Sequence, residues 1–310
     1  MLAFWIILAV LVFLVFASLL TAFVCFIRIF YSPTRVQSDE FSIPDGKIYE
    51  EYREGMIEWM RWVRGLPCRE LSIRSHDGLT LRGRYFECRK DAPIELLFHG
   101  YRGCAERDLS GGVARCFALG HNVLIVDHRG SGRSDGHVIS FGINESRDCV
   151  SWVELIRREI DPDAKIILAG VSMGAATVLI ASGMELPDCV VGVVADCGYT
   201  SAKEIIKKVI REMGLPADLL YPFAKLGARI FGRFDLEETS PREAMARCRL
   251  PIIFFHGDVD DFVPHSMSEE NFSVCQSKKR LVTVKGAGHG LAFPVDQNLY
   301  LREMKEFFGI

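Results

Sequence analysis

Short apolar runs alternate with helical patterns over most of the chain, and this alternation constrains the fold more than any other feature. The runs read as buried parallel strands, at residues 95–98, 123–126, 166–169, 190–195, 251–255 and 280–284. A hairpin is predicted before them at 72–85, and helices are predicted at about 104–119, 145–160, 173–185, 201–213 and 294–308. This order predicts an α/β fold with a mostly parallel, doubly wound sheet that begins with an antiparallel hairpin.

The amino terminus is apolar enough to enter a membrane. Residues 2–27 contain no charged side chain and no proline, and a bilayer span needs about 20 apolar residues. A cleaved signal peptide is the alternative, but it would have a positive charge before a shorter apolar stretch. Arg28 and Arg35 follow the segment, and no Lys or Arg precedes it. The sequence therefore predicts a single-pass anchor in the cell membrane, with the body in the cytoplasm.

A polar stretch separates this anchor from the rest of the chain. Residues 32–46 contain two prolines and read as a linker. Apolar residues at helical spacing in 47–64 predict an amphipathic helix that lies against the body. We therefore divide the chain into an anchor at 1–31, a linker with this helix at 32–66, and a catalytic domain at 67–310.

Composition argues against several classes of protein. The formal net charge is −3 and no basic run occurs, so a nucleic-acid partner is not expected. The 10 cysteines form no CxxC pair and no Cys/His metal spacing, which favours free thiols in a reducing compartment. No dinucleotide-binding loop occurs either, and we predict neither a metal nor an organic cofactor. The sequence indicates no obligate protein partner.

The predicted strand at 166–169 runs into a G-x-S-x-G frame. Ser172 lies at its centre, between glycines at 170 and 174, and a helical pattern follows. A nucleophile on a sharp strand-to-helix turn needs small neighbours, because the backbone crosses close to it. An ordinary turn that contains a serine is the alternative, and five residues do not decide between the two.

Two other strand ends offer groups that a serine nucleophile needs. An oxyanion requires backbone N–H donors, which we assign to Met173 after the serine and to Tyr101 in the loop after the strand at 95–98. His99 precedes that loop, and we expect it to organise turns rather than to transfer protons. His289 lies in a glycine-rich loop after the last strand, where little regular structure is available to bury it, and is the candidate base.

Three aspartates follow the strand at 251–255, and one of them could orient a histidine base. They are Asp258, Asp260 and Asp261, and spacing alone does not choose among them. Ser172, an aspartate near 260 and His289 occur in the chain order serine, aspartate, histidine. Each group ends a different strand, and ligands bind at the carboxyl ends of strands in such a sheet. This arrangement favours a serine nucleophile.

These motifs resemble those of the α/β-hydrolase superfamily, most of all the bacterial membrane-anchored hydrolases of the serine aminopeptidase-like and BEM46-like branches. The resemblance runs from about residue 68 to the end of the chain and rests on FHGYRG, DHRGSGRSDG, GVSMG, HGDVDDFVP and GAGHG. It implies Asp260 as the catalytic acid, with Asp258 and Asp261 as second choices. Asp196 is a rival, because some members of the family take their acid from that strand end. We read Arg129 and Ser134 as residues that brace a loop.

The segment at about 200–240 lies where this family often inserts a helical lid. Here it is short and apolar, which favours an apolar acyl substrate, although the same side chains could simply pack on the sheet. Together these features predict a membrane-anchored serine hydrolase of the carboxylesterase or lipase-like type. The alternatives are a serine peptidase of the aminopeptidase type with the same residues, and a catalytically silent binding protein at the membrane.

Overall fold

A computed structural model describes residues 1–33, 41–44 and 46–309. Arg35, on which the predicted orientation in the membrane partly depends, lies outside the described residues, as does much of the predicted linker. All 10 cysteines fall within the described residues and all are free thiols.

Eight strands form one sheet in the described part of the chain. They are β1 (Arg69–Arg74), β2 (Thr80–Phe86), β3 (Ile94–Phe98), β4 (Asn122–Val126), β5 (Ile166–Val171), β6 (Val190–Asp196), β7 (Ile252–Gly257) and β8 (Lys279–Val284). The strand order is β1-β2-β4-β3-β5-β6-β7-β8. Strand β2 pairs antiparallel with β1 and β4, and all the other pairs are parallel. The predicted fold class is therefore confirmed.

Helices surround this sheet. They are α1 (Leu2–Ile29), α2 (Lys47–Glu50), α3 (Arg53–Gly65), α4 (Ala105–Leu119), α5 (Ile143–Leu155), α6 (Met173–Ser182), α7 (Ala202–Glu212), α8 (Ala217–Ile230), α9 (Pro241–Met245), α10 (His265–Val274), α11 (Ala292–Val295) and α12 (Gln297–Phe308). A π-helical turn, Ile156–Ile160, continues α5. Every residue of β3, β4 and β7 is buried, because helices cover both faces of the sheet.

Three apolar clusters hold these layers together. The first lies between the sheet and α5, α6 and α9, and the second lies between the opposite face and α4 and α12. The third lies beyond the sheet and joins the end of α1 to α7 and α8. It also contains Met173, the first residue of α6, and Val263, in the loop after β7. Both lie at the carboxyl ends of strands, so this cluster borders the candidate site.

The helix predicted at 47–64 is divided into two helices, α2 and α3.

Helix α8 was not predicted as a separate helix. Pro222 lies inside α8, where a proline removes one backbone hydrogen bond and is unfavourable. Packing against α1 and α7 compensates for this cost, since α8 buries Ala224, Gly227 and Ala228. Tertiary contact therefore decides the conformation of this segment against local propensity.

Helix α1 leaves most of its length outside the body. In the described residues it alone is long and apolar enough to cross a membrane. None of its side chains before Ala22 is buried, whereas Ala22 and Phe26 are. The structure thus contains the apolar helix that the sequence predicts, and only its last turns pack on the body.

Candidate active site

Ser172 occupies a sharp turn between β5 and α6. Its φ is +57° and its ψ is −116°, which is a strained conformation for a residue with a side chain. The flanking glycines are required by contact: a Cβ on Gly170 would overlap the backbone of Gly174, and a Cβ on Gly174 would overlap the carbonyl of Phe98. The G-x-S-x-G frame therefore has the strand–turn–helix context that a nucleophile elbow needs.

His289 lies between Ser172 and Asp260. Its Nε2 is 2.9 Å from the Oγ of Ser172, and its Nδ1 is 2.8 Å from Oδ2 of Asp260. Ser172 and Asp260 are buried and His289 is partly exposed. Three side chains that are far apart in the sequence therefore form one continuous line of hydrogen bonds.

The loop after β7 surrounds Asp260 with donors. The Oδ1 atom of Asp260 accepts hydrogen bonds from the N–H groups of Phe262 and Val263, at 3.0 and 2.8 Å. Its Oδ2 atom lies 3.2 Å from Nε2 of His256. Burial raises the pKa of Asp260, but the hydrogen bonds from His256 and His289 outweigh it and hold the pKa below its usual range. The carboxylate therefore stays ionised at neutral pH.

The other candidate aspartates are placed differently. Asp258 accepts the N–H of Gly286 at 2.6 Å and so braces the loop before His289. Asp261 is exposed, and its carbonyl accepts a hydrogen bond from Lys208. Asp196 is buried at the end of β6, and burial raises its pKa to about 6. Of the four aspartates, the structure places Asp260 in hydrogen-bond contact with His289.

One predicted oxyanion donor, Met173, follows Ser172 directly, and the other, Tyr101, belongs to a loop that lies beside it. Met173 is the first residue of α6, so its N–H is one of those left without an intrahelical partner and directed out of the helix start. The loop that contains Tyr101 passes over the serine, since a Cβ on Gly100 would lie 3.6 Å from that of Ser172. The N–H of Ser172 itself donates to the carbonyl of Asp196 at 2.8 Å.

His99 is fully buried beneath this loop. Its Nδ1 donates to the carbonyl of Gly100 at 2.8 Å, and its Nε2 accepts the N–H of His128 at 3.0 Å. Both ring nitrogens are therefore used to organise turns, as expected.

Arg129 and Ser134 brace the loop after β4. Arg129 is buried and forms an ion pair with Asp148 at 2.7 Å. Ser134 donates to the carbonyl of Asp127 at 2.7 Å. Neither side chain contacts Ser172 or His289 through these bonds, and both fit the predicted bracing role.

Sequence reasoning missed two residues beside His289. The hydroxyl of Tyr49 donates to the carbonyl of His289 at 3.0 Å, although the sequence placed Tyr49 only in an amphipathic helix. Cys197 follows β6 and has a φ of +46°. The ligand atoms of Cys197, Asp260 and His289 all lie within 4.8 Å of one another. No local pattern marks either residue, because each reaches the site through the tertiary fold.

This group is the candidate metal site in the described residues, but its chemistry fits a metal poorly. Burial raises the pKa of the Cys197 thiol well above its usual value, and metals bind the thiolate. A metal would also displace the hydrogen bond between Asp260 and His289.

The predicted lid is only partly packed. Ile205, Ile206, Ile210 and Tyr221 are buried in the third cluster, so these side chains pack on the helices and loops beyond the sheet and not on the sheet itself. By contrast, a second set is exposed and apolar: Met213, Leu215, Leu219 and Ile230.

Known proteins share this architecture. A family profile described as alpha/beta hydrolase fold matches residues 96–245, which include the elbow and the loop of Tyr101. This match indicates the α/β-hydrolase fold, which the strand order also shows. The chain is similar to the uncharacterized protein YqkD of Bacillus subtilis, with 30% identity over 190 residues, which cover 61% of this chain and 62% of YqkD. It is also similar to the protein bem46 of Schizosaccharomyces pombe, with 28% identity over 68% of this chain and 66% of bem46.

Solved esterase structures superpose on most of the chain. An esterase of Pyrococcus furiosus matches with a TM-score of 0.68 and 18% identity, over 90% of this chain and 97% of the esterase. The esterase EaEST of Exiguobacterium antarcticum matches with a TM-score of 0.57 and 15% identity, over 77% and 99% of the two chains. At these identities the likeness shows the fold. The alignment to YqkD covers less than two thirds of that relative.

Proposed function

We propose that this α/β hydrolase is a membrane-anchored serine hydrolase that cleaves carboxylic ester bonds through an acyl-enzyme. The observation that carries the proposal is the line from Asp260 through His289 to Ser172, with contacts of 2.8 and 2.9 Å. A base within hydrogen-bond reach of the nucleophile, itself oriented by a carboxylate, is the arrangement that activates a serine.

In the first step, Oγ of Ser172 attacks the carbonyl carbon of the ester while Nε2 of His289 accepts the hydroxyl proton. The carbonyl π electrons move to the oxygen, and the N–H groups of Met173 and Tyr101 stabilise that oxyanion. Each donor contributes about 3–4 kcal/mol to lowering the barrier. When the oxyanion collapses, the ester C–O bond breaks and the leaving alcohol takes the proton from Nε2.

In the second step, water attacks the acyl-enzyme and gives its proton to Nε2 of His289. The acyl–Oγ bond then breaks, Ser172 regains a proton, and the carboxylic acid leaves. Asp260 remains ionised throughout, and its hydrogen bond fixes the imidazole with Nε2 facing the serine. These steps use only groups of this chain and water.

Helix α1 would hold the enzyme in the cell membrane as a single-pass anchor. Its length and apolar composition support this placement, and Arg28 at its carboxyl end supports a cytoplasmic body. Protease treatment of intact cells tests the orientation, because digestion of the body from outside would contradict it.

A serine peptidase of the aminopeptidase type is the main alternative, and it would need an acidic recess for a free amino group. Asp108 is an acidic side chain beside the loop of Gly100. Its Oδ1 accepts a hydrogen bond from Arg107 at 2.6 Å, so the carboxylate is already paired with a cation. This pairing favours an ester substrate.

The test is turnover of short p-nitrophenyl esters by the purified full-length chain in detergent. We expect Ser172→Ala to lower kcat by about 10⁶-fold, because removal of the nucleophile in a comparable site has that effect. An aminoacyl-arylamide assayed in parallel identifies the peptidase if its kcat/KM exceeds that of the ester.

Labelling by a fluorophosphonate gives an independent measurement. We expect the probe to label the parent chain at Ser172 and to leave Ser172→Ala unlabelled. A folded parent chain that hydrolyses neither substrate and does not react with the probe would favour the silent binding protein.

A further inference from the structure

The body meets α1 at the level where a bilayer would end. Twenty helical residues rise about 30 Å, which matches the hydrocarbon core of a bilayer. Counted from Leu2, that length ends at Thr21, and the first buried side chain of α1 is that of Ala22. If α1 spans the membrane, the parts of the body that pack on its last two turns lie at the membrane surface.

One of these parts is the loop that carries the predicted oxyanion donor. The hydroxyl of Tyr101 donates to the carbonyl of Ile29 at 2.6 Å. The guanidinium of Arg102 donates to the carbonyl of Arg28 at 2.9 Å. The carbonyls at the end of a helix have no intrahelical partner, so the catalytic loop caps the end of α1. The active site is therefore attached to the base of the anchor.

The other part is α8. Gly227 of α8 lies so close to Ala22 that a Cβ there would overlap the carbonyl of Ala22. The ring of Phe231, just after α8, lies 5.2 Å from that of Phe23. Such close packing places α8 directly beside the last turns of α1.

Part of the surface that α8 and the loop before it leave uncovered is apolar, although Glu212 and Asp218 are also exposed there. Leu219 is 63% exposed and Ile230 is 44% exposed. Met213 and Leu215, which lie between α7 and α8, are also exposed. This apolar surface, formed by Met213, Leu215, Leu219 and Ile230, is called the lid surface below. Next to it, α1 exposes Phe23 and Ile27, which follow the counted span and so lie at the membrane surface if α1 crosses the bilayer.

Cationic side chains accompany the lid surface. Arg28 at the end of α1 and Arg229 and Arg233 around the end of α8 are all exposed. Arginines beside exposed leucine, isoleucine and methionine are typical of segments that lie in the headgroup region, where the charges reach anionic lipids and the apolar groups enter the acyl boundary.

We propose that the lid surface inserts into the same bilayer that α1 spans, and that Ser172 receives its acyl ester from this bilayer. The proposal rests on the proposed function and specifies its substrate as a membrane-borne ester with a long acyl chain. The third cluster joins the two places, because its apolar side chains extend from α8 to Met173 beside the nucleophile. The occupant of the lid surface is thus lipid.

Fluorescence quenching tests the insertion. The full-length chain, with Trp5→Phe to reduce the signal from α1, is reconstituted in phosphatidylcholine–phosphatidylglycerol vesicles with brominated acyl chains. Leu219→Trp is compared with Met184→Trp, since Met184 is 39% exposed and follows the end of α6 that is remote from Ser172. We expect at least about twice the fractional quenching for Leu219→Trp, because an interfacial side chain reaches the acyl boundary. Equal quenching of the two variants would refute the insertion.

Turnover tests the substrate route. We expect Leu219→Glu to lower the ratio of long-chain vesicle ester turnover to short soluble ester turnover by about 5- to 10-fold, because a charge is unfavourable at a lipid-facing site. Met184→Glu is the matched control and should preserve the ratio. An equal ratio in both variants would overturn the route while leaving the ester hydrolase intact. Failure of the proposed function would give a different result from failure of the route. In that case Ser172→Ala would retain turnover of both the vesicle ester and the soluble ester.

Discussion

Two aspartates at the ends of neighbouring parallel strands show how differently this fold treats the same side chain. Asp196 ends β6 and Asp260 follows β7, and each is 8% exposed. Asp260 accepts two backbone N–H groups and contacts two histidines. Asp196 has an Oδ1 without a hydrogen-bond partner among the described residues. The pKa of Asp260 is held below its usual range, whereas that of Asp196 is raised to about 6.

The difference shows that burial alone does not determine the charge of a carboxyl group at this edge of the sheet. Burial raises the pKa of both groups, and only Asp260 has enough donors to reverse the shift. The loop after β7 supplies those donors because its turn directs the N–H groups of Phe262 and Val263 at one oxygen. That loop therefore keeps Asp260, the partner of His289, ionised.

Of the replacements described here that leave Ser172 intact, that of Asp260 should lower kcat the most. We expect Asp260→Asn to lower kcat for a short ester by about 10⁴-fold, because an amide donates to Nδ1 and fixes the wrong tautomer of the imidazole. Steady-state kinetics of the detergent-solubilised chain provide the measurement. Asp258→Asn is the control, since Asp258 braces the same loop through Gly286. Equal losses in the two variants would assign Asp260 a bracing role only.

Replacement of Asp196 should change stability more than catalysis. Since its folded pKa is raised from 3.8 to about 6, the folded state binds more protons than the unfolded state between these values, and the free energy of unfolding falls as pH rises through them. Asp196→Asn lacks this titration. Relative to the parent chain, the variant should therefore gain about 2 kcal/mol between pH 4 and pH 7.5, measured by chemical denaturation at both pH values.

The kinetic half of this prediction distinguishes Asp196 from Asp260. We expect kcat of Asp196→Asn to fall by less than about 10-fold, since removal of a group outside the Ser–His–Asp line does not change the tautomer of the base. A loss as large as that of Asp260→Asn would make Asp196 the acid. A stability difference that does not vary with pH would contradict its raised pKa.

Replacement of Tyr49 should have the smallest effect. Tyr49→Phe removes the hydrogen bond to the carbonyl of His289, and a bond of this kind contributes about 1 kcal/mol. We expect kcat to fall by about 5-fold with KM unchanged, because the base is held less firmly while the substrate contacts stay the same. A change in KM alone would instead place Tyr49 at the substrate.

Much of the fold follows from the sequence because local pattern and tertiary structure agree there. The strands predicted at 123–126 and 190–195 are observed as Asn122–Val126 and Val190–Asp196, since runs of apolar residues are stable only where helices cover both faces. The division between α2 and α3 and the helix through Pro222 were not predictable, because packing against other elements decides them.

The elbow shows the same division within the candidate site. The glycines at 170 and 174 flank a serine in the sequence, and the structure explains why neither can carry a side chain. The backbone of Gly174 lies against Gly170, and the backbone of Phe98 lies against Gly174. The placement of Tyr49 against His289 has no such local signal, since the two residues are far apart in the chain.

By itself the sequence determined the α/β sheet, the elbow that presents Ser172, and the chain order in which an aspartate and His289 follow it. These features are local, because hydrophobic periodicity and glycine at a crowded turn act over a few residues. Only the tertiary structure decided which aspartate lies 2.8 Å from His289, and that the end of α1 contacts the loop of Tyr101. Such choices depend on the relative positions of strand ends and helices, which arise when the whole chain packs.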